Sequence, residues 1–244
     1  MLEGLYSAAA GMSAQQEQLN AISNDLANLS TSGYKSERVA FNDLLYNRVN
    51  IAGSETTAGD GANALVIGRS EGQGAITETG NPFDLAIEGP GYFEVKRPNG
   101  QTVLTRNGNF GVDASGTLVN AEGNRLAPPI KLPPGISPNE ITVSTTGVVT
   151  AANRTLGQIK LVTVTAPDHM LADGASALLP TTSSGAPHPA TGAIHQGALE
   201  SSNVNMAGTM AQMVSTQRAF QMNSTSIQTE SQMMSIANQL RPGS

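Results

Sequence analysis

The chain has 244 residues, with 13 Lys and Arg against 19 Asp and Glu, a net charge of −6, and no cysteine. No basic stripe exists to neutralise phosphates, so nucleic acid is not an expected partner, and disulfide and thiolate chemistry are excluded. Charged residues make up only 13% of the chain, against roughly a quarter in ordinary globular proteins, which argues against a well-solvated lone monomer.

The start, Met1-Leu2-Glu3, is acidic, and the first basic residue is Lys35. No Sec-type signal peptide is therefore expected, and any passage out of the cytoplasm would use another route. No apolar run approaches the length of a membrane span, so membrane insertion is not expected either.

Leu5, Met12, Leu19 and Leu26 recur every seven residues, with Ala8, Ile22 and Leu29 at the intermediate positions three residues on. The spacing predicts an opening helix over residues 1–30 with a coiled-coil seam. Ser30-Thr31-Ser32-Gly33 reads as its stop, with Gly33 at C′. The stretch 31–75 is an arm and loop. Phe41, Leu44, Leu45 and Val49 lie in a short helical or extended arm, and the Gly-, Ala-, Thr- and Ser-rich residues 50–64 read as a mobile loop.

Residues 76–197 carry β signals. Phe93 and Val95 alternate with Glu94 and Lys96, and Pro98-Asn99-Gly100 marks a turn. Val103 and Leu104 precede a second turn at Asn107-Gly108, and Phe110 and Val112 lead through Asp113-Ala114-Ser115-Gly116 to Leu118 and Val119. The pattern predicts an antiparallel meander. Further strands are expected at 141–144, 147–150 and 158–165, and residues 180–197 read as a connector. The last segment, 198–244, repeats the opening signature. Met206, Met213, Phe220, Ile227 and Met234 are seven apart, with Met210 between, and Ser201, Ser202, Asn203 and Asn205 offer N-caps.

The expected fold is α+β: terminal helices forming a coiled-coil pair around a central, mainly antiparallel β domain. Two readings of the seam stay open, a helical hairpin within one chain or an interface between copies. The flanks favour the second. Residues 1–30 hold only Glu3, Glu17 and Asp25 as charges, and residues 204–240 only Arg218 and Glu230, where an exposed coiled coil carries Glu and Lys. An isolated pair of such helices is marginal, so both ends are expected to be poorly ordered in a free monomer and helical on assembly.

Three motifs resemble the bacterial flagellar rod and hook axial proteins, most closely the distal rod type. They are NDLANLSTSGYK (24–35), FDLAIEGPGYFEV (83–95) with LTRNGNFGVDASGTLVN (104–120), and ALESSNVN (198–205) with QRAFQMNSTSIQT (217–229) and ANQL (237–240). The matched motif positions include Asn28, Gly33, Tyr34, Lys35, Asn203, Gln217 and Arg218. The resemblance implies a structural subunit that polymerises with itself into the tubular drive shaft of the basal body. Its neighbours would be other rod and hook proteins and the outer basal-body rings, and it would be delivered unfolded through the flagellar type III export apparatus. A proximal rod or hook-type subunit is the alternative within the family. The chain departs from the family pattern at Ala207-Gly208-Thr209, where acidic residues are usual, and at Phe220, where Tyr is usual.

Catalytic signals are weak. His169, His188 and His195 lack metal-ligand spacing and read as solvated loop residues. Gly11-Met12-Ser13-Ala14-Gln15 fails as a nucleophile elbow. The glycines at 68, 72 and 74 lack a following Gly-Lys-Ser/Thr. Asp84, Glu88 and Glu94 read as ordinary strand or surface residues. Neither an enzyme, such as a cell-wall hydrolase, nor a cofactor is expected. Outside the family, the competing reading is a trimeric fibre or adhesin, but its recognition surface would need aromatic platforms and the chain has no Trp.

Overall fold

The computed structural model describes residues 2–44, 46–51, 54–59, 61–152, 154–174 and 176–239. They divide into two compact units that interleave along the chain: Met1–Ala27 with Glu37–Ile67 and Asn205–Ser244, and Asn28–Ser36 with Gly68–Val204. By packing, residues 28–36, 68–75 and 198–204 therefore belong with the β unit, whereas a linear reading of the sequence assigns them to the ends and the arm.

In the first unit α1 (Leu2–Ala27) packs along α2 (Met206–Gln239). α1 is rich in Ala, Leu and Gln, α2 in Met, Ala and Gln, and both are free of Pro, which suits a helix. Asn205 caps α2, its Oδ1 accepting the Gly208 N–H at 3.0 Å. Thr216, Thr225 and Thr229 turn their hydroxyls back onto carbonyls four residues earlier, at 2.9 Å each, so the helix satisfies these donors itself. Between the helices, Tyr46–Ile51 pairs antiparallel with Ser54–Gly59, from Tyr46↔Gly59 to Ile51↔Ser54. Glu37–Asp43 pairs with Ala62–Arg69. Apart from Gly61, the described part of the expected mobile loop at 50–64 is thus strand. Antiparallel pairing bonds the facing backbone groups of two strands whatever their side chains, which composition alone does not register. Leu45 lies outside the described residues.

The second unit is built around the strand Tyr92–Lys96, which pairs with Thr102–Thr105, Arg125–Leu126 and Leu161–Thr163, all antiparallel. Its alternate side chains feed two apolar clusters. Phe93 and Val95 enter the larger, with Leu85, Ile87, Val103, Phe110, Leu126, Val149 and Ile194. Tyr92 enters the smaller, with Leu104, Val162, Val164 and Leu178. The Phe93 and Phe110 rings meet edge to face at 5.3 Å. A separate three-stranded sheet runs Ile141–Val143, Val148–Ala151, Arg154–Gln158.

The meander is interrupted where the sequence suggests a hairpin at Asn107-Gly108. Thr102–Thr105 pairs on its far side with Ala177–Leu179, and Phe110–Val112 pairs only with Leu118–Asn120. Gly108 instead lies on the backbone ahead of Leu85–Glu88. The Leu85 N–H donates to the Gly108 carbonyl at 3.0 Å, and a Cβ on Gly108 would sit 1.6 Å from the Leu85 oxygen. The glycine serves close approach, not a turn. Residues 188–189 and 193–196, inside the expected connector, are strands, the latter paired with Leu85–Glu88.

Candidate functional site

Three charged side chains meet in the interior of the second unit. Lys35, Arg106 and Glu200 are 6%, 7% and 1% exposed. Lys35 Nζ donates to Glu200 Oε1 at 2.5 Å and to the Gly72 carbonyl at 2.8 Å. Arg106 Nη1 donates to Glu200 Oε2 at 3.1 Å, and Nη2 to the Gly89 carbonyl at 2.7 Å. The Gly74 N–H donates to Glu200 Oε1 at 2.9 Å. Burial at this depth is tolerable only because each charge is paired and hydrogen-bonded.

Glycines admit these contacts. Gly33 has φ +70°, and a Cβ there would lie 2.5 Å from the Arg106 carbonyl carbon. Its N–H donates to the Glu200 carbonyl at 2.8 Å. Gly33 therefore stands six residues beyond the end of α1 at Ala27, and its role is close approach instead of the C′ cap that the sequence suggests. A Cβ on Gly74 would lie 1.9 Å from the Ser201 oxygen.

Asn203 ties the same segments together. Its Oδ1 accepts the Ser36 N–H at 2.8 Å, its Nδ2 donates to the Gly72 carbonyl at 2.8 Å, and its N–H donates to the Tyr34 carbonyl at 3.3 Å. The Arg69 guanidinium sits 5.3 Å from the buried Tyr34 ring, and that of Arg106 sits 5.4 Å from Tyr92. Asn28 accepts the Thr31 hydroxyl at 3.1 Å.

The electrostatics follow from burial. Desolvation pulls the Lys35 ammonium below its ordinary pKa, against the hydrogen bond and charge of Glu200, which act to raise it. Desolvation likewise pushes the Tyr92 phenol up to about 12 and raises the Glu71 carboxyl, with the Asp168 charge adding to Glu71. This arrangement holds chain segments; it presents no nucleophile beside a base. His195 is on a strand, not in a loop, with Nε2 2.6 Å from Glu88 Oε2 at the surface. Asp84 is buried and accepts from Thr79 and Asn81, so it is not an ordinary surface residue. Among the described residues no three His, Asp or Glu side chains are grouped to hold a metal ion.

The helical pair is the second candidate surface. Of the expected seam positions, Ile22 is buried, and Leu5, Met12, Leu19, Leu26, Leu29, Met213, Phe220, Ile227 and Met234 are partly buried. Met206 and Met210 are 48% and 45% exposed, off the packed face of the single chain, as are Gln217 and Arg218. The covered face of α2 reads Thr209, Met213, Thr216, Phe220, Asn223, Ile227, Glu230, Met234. Its polar half is absent from a reading that counts only apolar residues; the heptad spacing itself could have found it. Arg106 and Glu200 are likewise missed, because their partner Lys35 is 71 and 165 residues away in sequence.

Three family descriptions match the chain in order: "Flagella basal body rod protein" over residues 5–35, "Flagellar hook protein FlgE/F/G D1 domain" over 86–151, and "Flagellar basal body rod FlgEFG protein C-terminal" over 195–240. The chain is 35% identical to the flagellar basal-body rod protein FlgG of Borreliella burgdorferi, covering 99% of each chain. It is 35% identical to FlgG of Caulobacter vibrioides, covering 98% of this chain and all of the relative. It is 34% identical to FlgG of Bacillus subtilis, covering 96% and 97%.

Proposed function

The chain belongs to the bacterial flagellar basal-body rod protein family, and we propose on that premise that it serves as a distal rod subunit whose work is mechanical and not catalytic. The observation that carries this is similarity to FlgG proteins over nearly the full length of both chains, combined with helix–β–helix order. As a rod component it assembles with other flagellar proteins in the basal body.

At a finer level, the reading is a homopolymer whose neighbours include other rod and hook proteins and the outer basal-body rings, and whose subunits arrive through the flagellar type III export apparatus. Residues 1–30 and 198–244 act as the assembly ends and 76–197 as the outer β domain. The seam residues Leu5, Met12, Leu19, Leu26, Met213, Phe220, Ile227 and Met234 are only partly covered in one chain, and Met206 and Met210 are open. Apolar area left uncovered in this way favours association with further helices. Torque transfer is served by many uncharged contacts, because Gln, Asn and Ser contacts persist in salt that screens ion pairs.

Leu19→Asp and Phe220→Asp test the reading. Each variant is expected to be made and exported but to leave cells without rods and without motility. Normal swimming with either variant would sink it. Hydrogen exchange provides a second check: the helical ends are expected to exchange more slowly in rods than in dilute monomer.

A further inference from the structure

Opposite the polar half of α2, α1 carries glycine. A Cβ on Gly4 would lie 3.0 Å from Glu230 Oε2, and a Cβ on Gly11 would lie 3.0 Å from Asn223 Nδ2. Moving seven residues forward on α1 moves seven back on α2, so the helices run antiparallel with paired positions summing to 234. The register carries Gln18 opposite Thr216 and Asp25 opposite Thr209. Thr209, Thr216 and Asp25 are all less than 9% exposed. The intervening layers set small against large: Ala14 opposite Phe220 and Ala21 opposite Met213, both alanines nearly fully buried.

We propose that this polar spine, with Glu230 and Asn223 seated over Gly4 and Gly11, selects the register of the helical pair. The inference concerns one chain and stands apart from the role in assembly. The apolar layers cannot choose the register, because Met213, Phe220, Ile227 and Met234 repeat every seven residues and a one-heptad slip matches them again. The polar layers do not match after a slip. Moved one way, Asn223 falls opposite Gln18 and two long amides share one layer. Moved the other way, Thr216 falls opposite Gly11 and leaves a gap, while Glu230 passes the end of α1. Only the native register places the two longest polar side chains over the two glycines. A partly buried polar side chain at a seam position is a known means of fixing register at some cost in stability. Asn223 is further held at 3.5 Å from Gln15 Oε1.

The chain has no cysteine, so engineered pairs report register without background. In the full-length chain, Ala14→Cys with Phe220→Cys reads the native register. Ala14→Cys with Ile227→Cys, and Ala14→Cys with Met213→Cys, read the two slips. Disulfide formation in the native pair is expected to exceed either slipped pair by about tenfold or more, the factor given by roughly 1.4 kcal/mol of preference. Adding Asn223→Ala and Glu230→Ala should collapse that ratio toward one while far-UV circular dichroism shows the helices retained. A second background, Gly11→Asn with Asn223→Gly, exchanges the partners of one layer and is expected to keep the native preference. An undiminished ratio in the alanine background overturns the inference. So does loss of helicity there, which would make the spine a source of stability and not of register, and so does slippage in the exchanged background.

Discussion

Replacing Glu200 by Gln tests whether the buried charged cluster holds the β unit together. The carboxylate accepts from Lys35 at 2.5 Å, from Arg106 at 3.1 Å and from the Gly74 N–H at 2.9 Å. Gln keeps the shape and one acceptor but turns an amide N–H₂ toward a cation, and it leaves two buried cations sharing one pocket without their common anion. Breaking a buried pair by removing one partner costs about 3–5 kcal/mol. Glu71 acts on Lys35 and remains as a partial counter-charge, which places the expected loss near the lower end, about 3 kcal/mol. Urea unfolding at pH 7 should show that loss directly, and thermal unfolding should show a fall on the order of 10 °C. Lys35→Met alone should cost less, since it removes an ammonium that burial already disfavours and leaves Glu200 with Arg106. Combined with Glu200→Gln it should be less damaging than the sum, with a coupling on the order of 1–3 kcal/mol. A loss below about 1 kcal/mol in Glu200→Gln, or strict additivity in the double variant, would show that these contacts are incidental and refute the reasoning.

Further outcomes follow from single contacts. Burial first, and Asp168 second, raise the Glu71 carboxyl above its ordinary 4.5, so the folded state binds this proton more tightly than the unfolded chain. The group's contribution to stability is present below 4.5 and is lost as pH rises through the raised value; Glu71→Gln should therefore gain on the parent as urea midpoints are taken from pH 4 to pH 7. Gly108→Ala should destabilise by the upper part of the ~1–3 kcal/mol range for overpacking, or more, because a Cβ placed 1.6 Å from the Leu85 oxygen forces the backbone to move; normal thermal stability would contradict the close approach. Asn205→Ala should cost about 1 kcal/mol in the first turn of α2, and Asn205→Asp should retain the cap, both read by hydrogen exchange at Gly208 and Thr209.

The α+β order, both helices and the strand Tyr92–Lys96 were legible because apolar periodicity and turn residues are local signals, readable within a dozen residues. The Arg97-to-Gln101 turn through Gly100 is of that kind, with the Gly100 N–H donating to the Arg97 carbonyl at 2.9 Å. The strand pair of 46–51 and 54–59 was legible only in part, because 46–49 read as a helical or extended arm while the Gly-, Thr- and Ser-rich 54–59 carries loop composition and is strand by virtue of its backbone pairing. The interrupted meander was hidden for a different reason. Strand order in the second unit depends on Ala177–Leu179, over 70 residues beyond the strand it covers. Lys35 was visible as a motif residue, but nothing near it announces that its anion is Glu200.

The features least legible in the sequence share one physical form: a polar group meeting a glycine backbone. The Arg106 backbone carbonyl lies against Gly33, the Glu200 carboxylate accepts from the Gly74 N–H, and the Glu230 and Asn223 side chains lie over Gly4 and Gly11. Read locally, each glycine is a break or a weak point, and Gly4 and Gly11 each cost their helix roughly 1 kcal/mol relative to Ala. Gly4 and Gly11 are the positions where a side chain reaches past the place a Cβ would occupy, whereas at Gly33 and Gly74 that place is taken by the backbone of Arg106 and of Ser201. The helix accepts that cost at Gly11 because an alanine methyl there would press on the Asn223 amide at 3.0 Å. Helix propensity and register then pull in opposite directions at one residue. A sequence tuned only for helical stability would resolve the conflict with alanine; this one keeps glycine, which is the outcome expected where pairing in one register matters more than the strength of the pair.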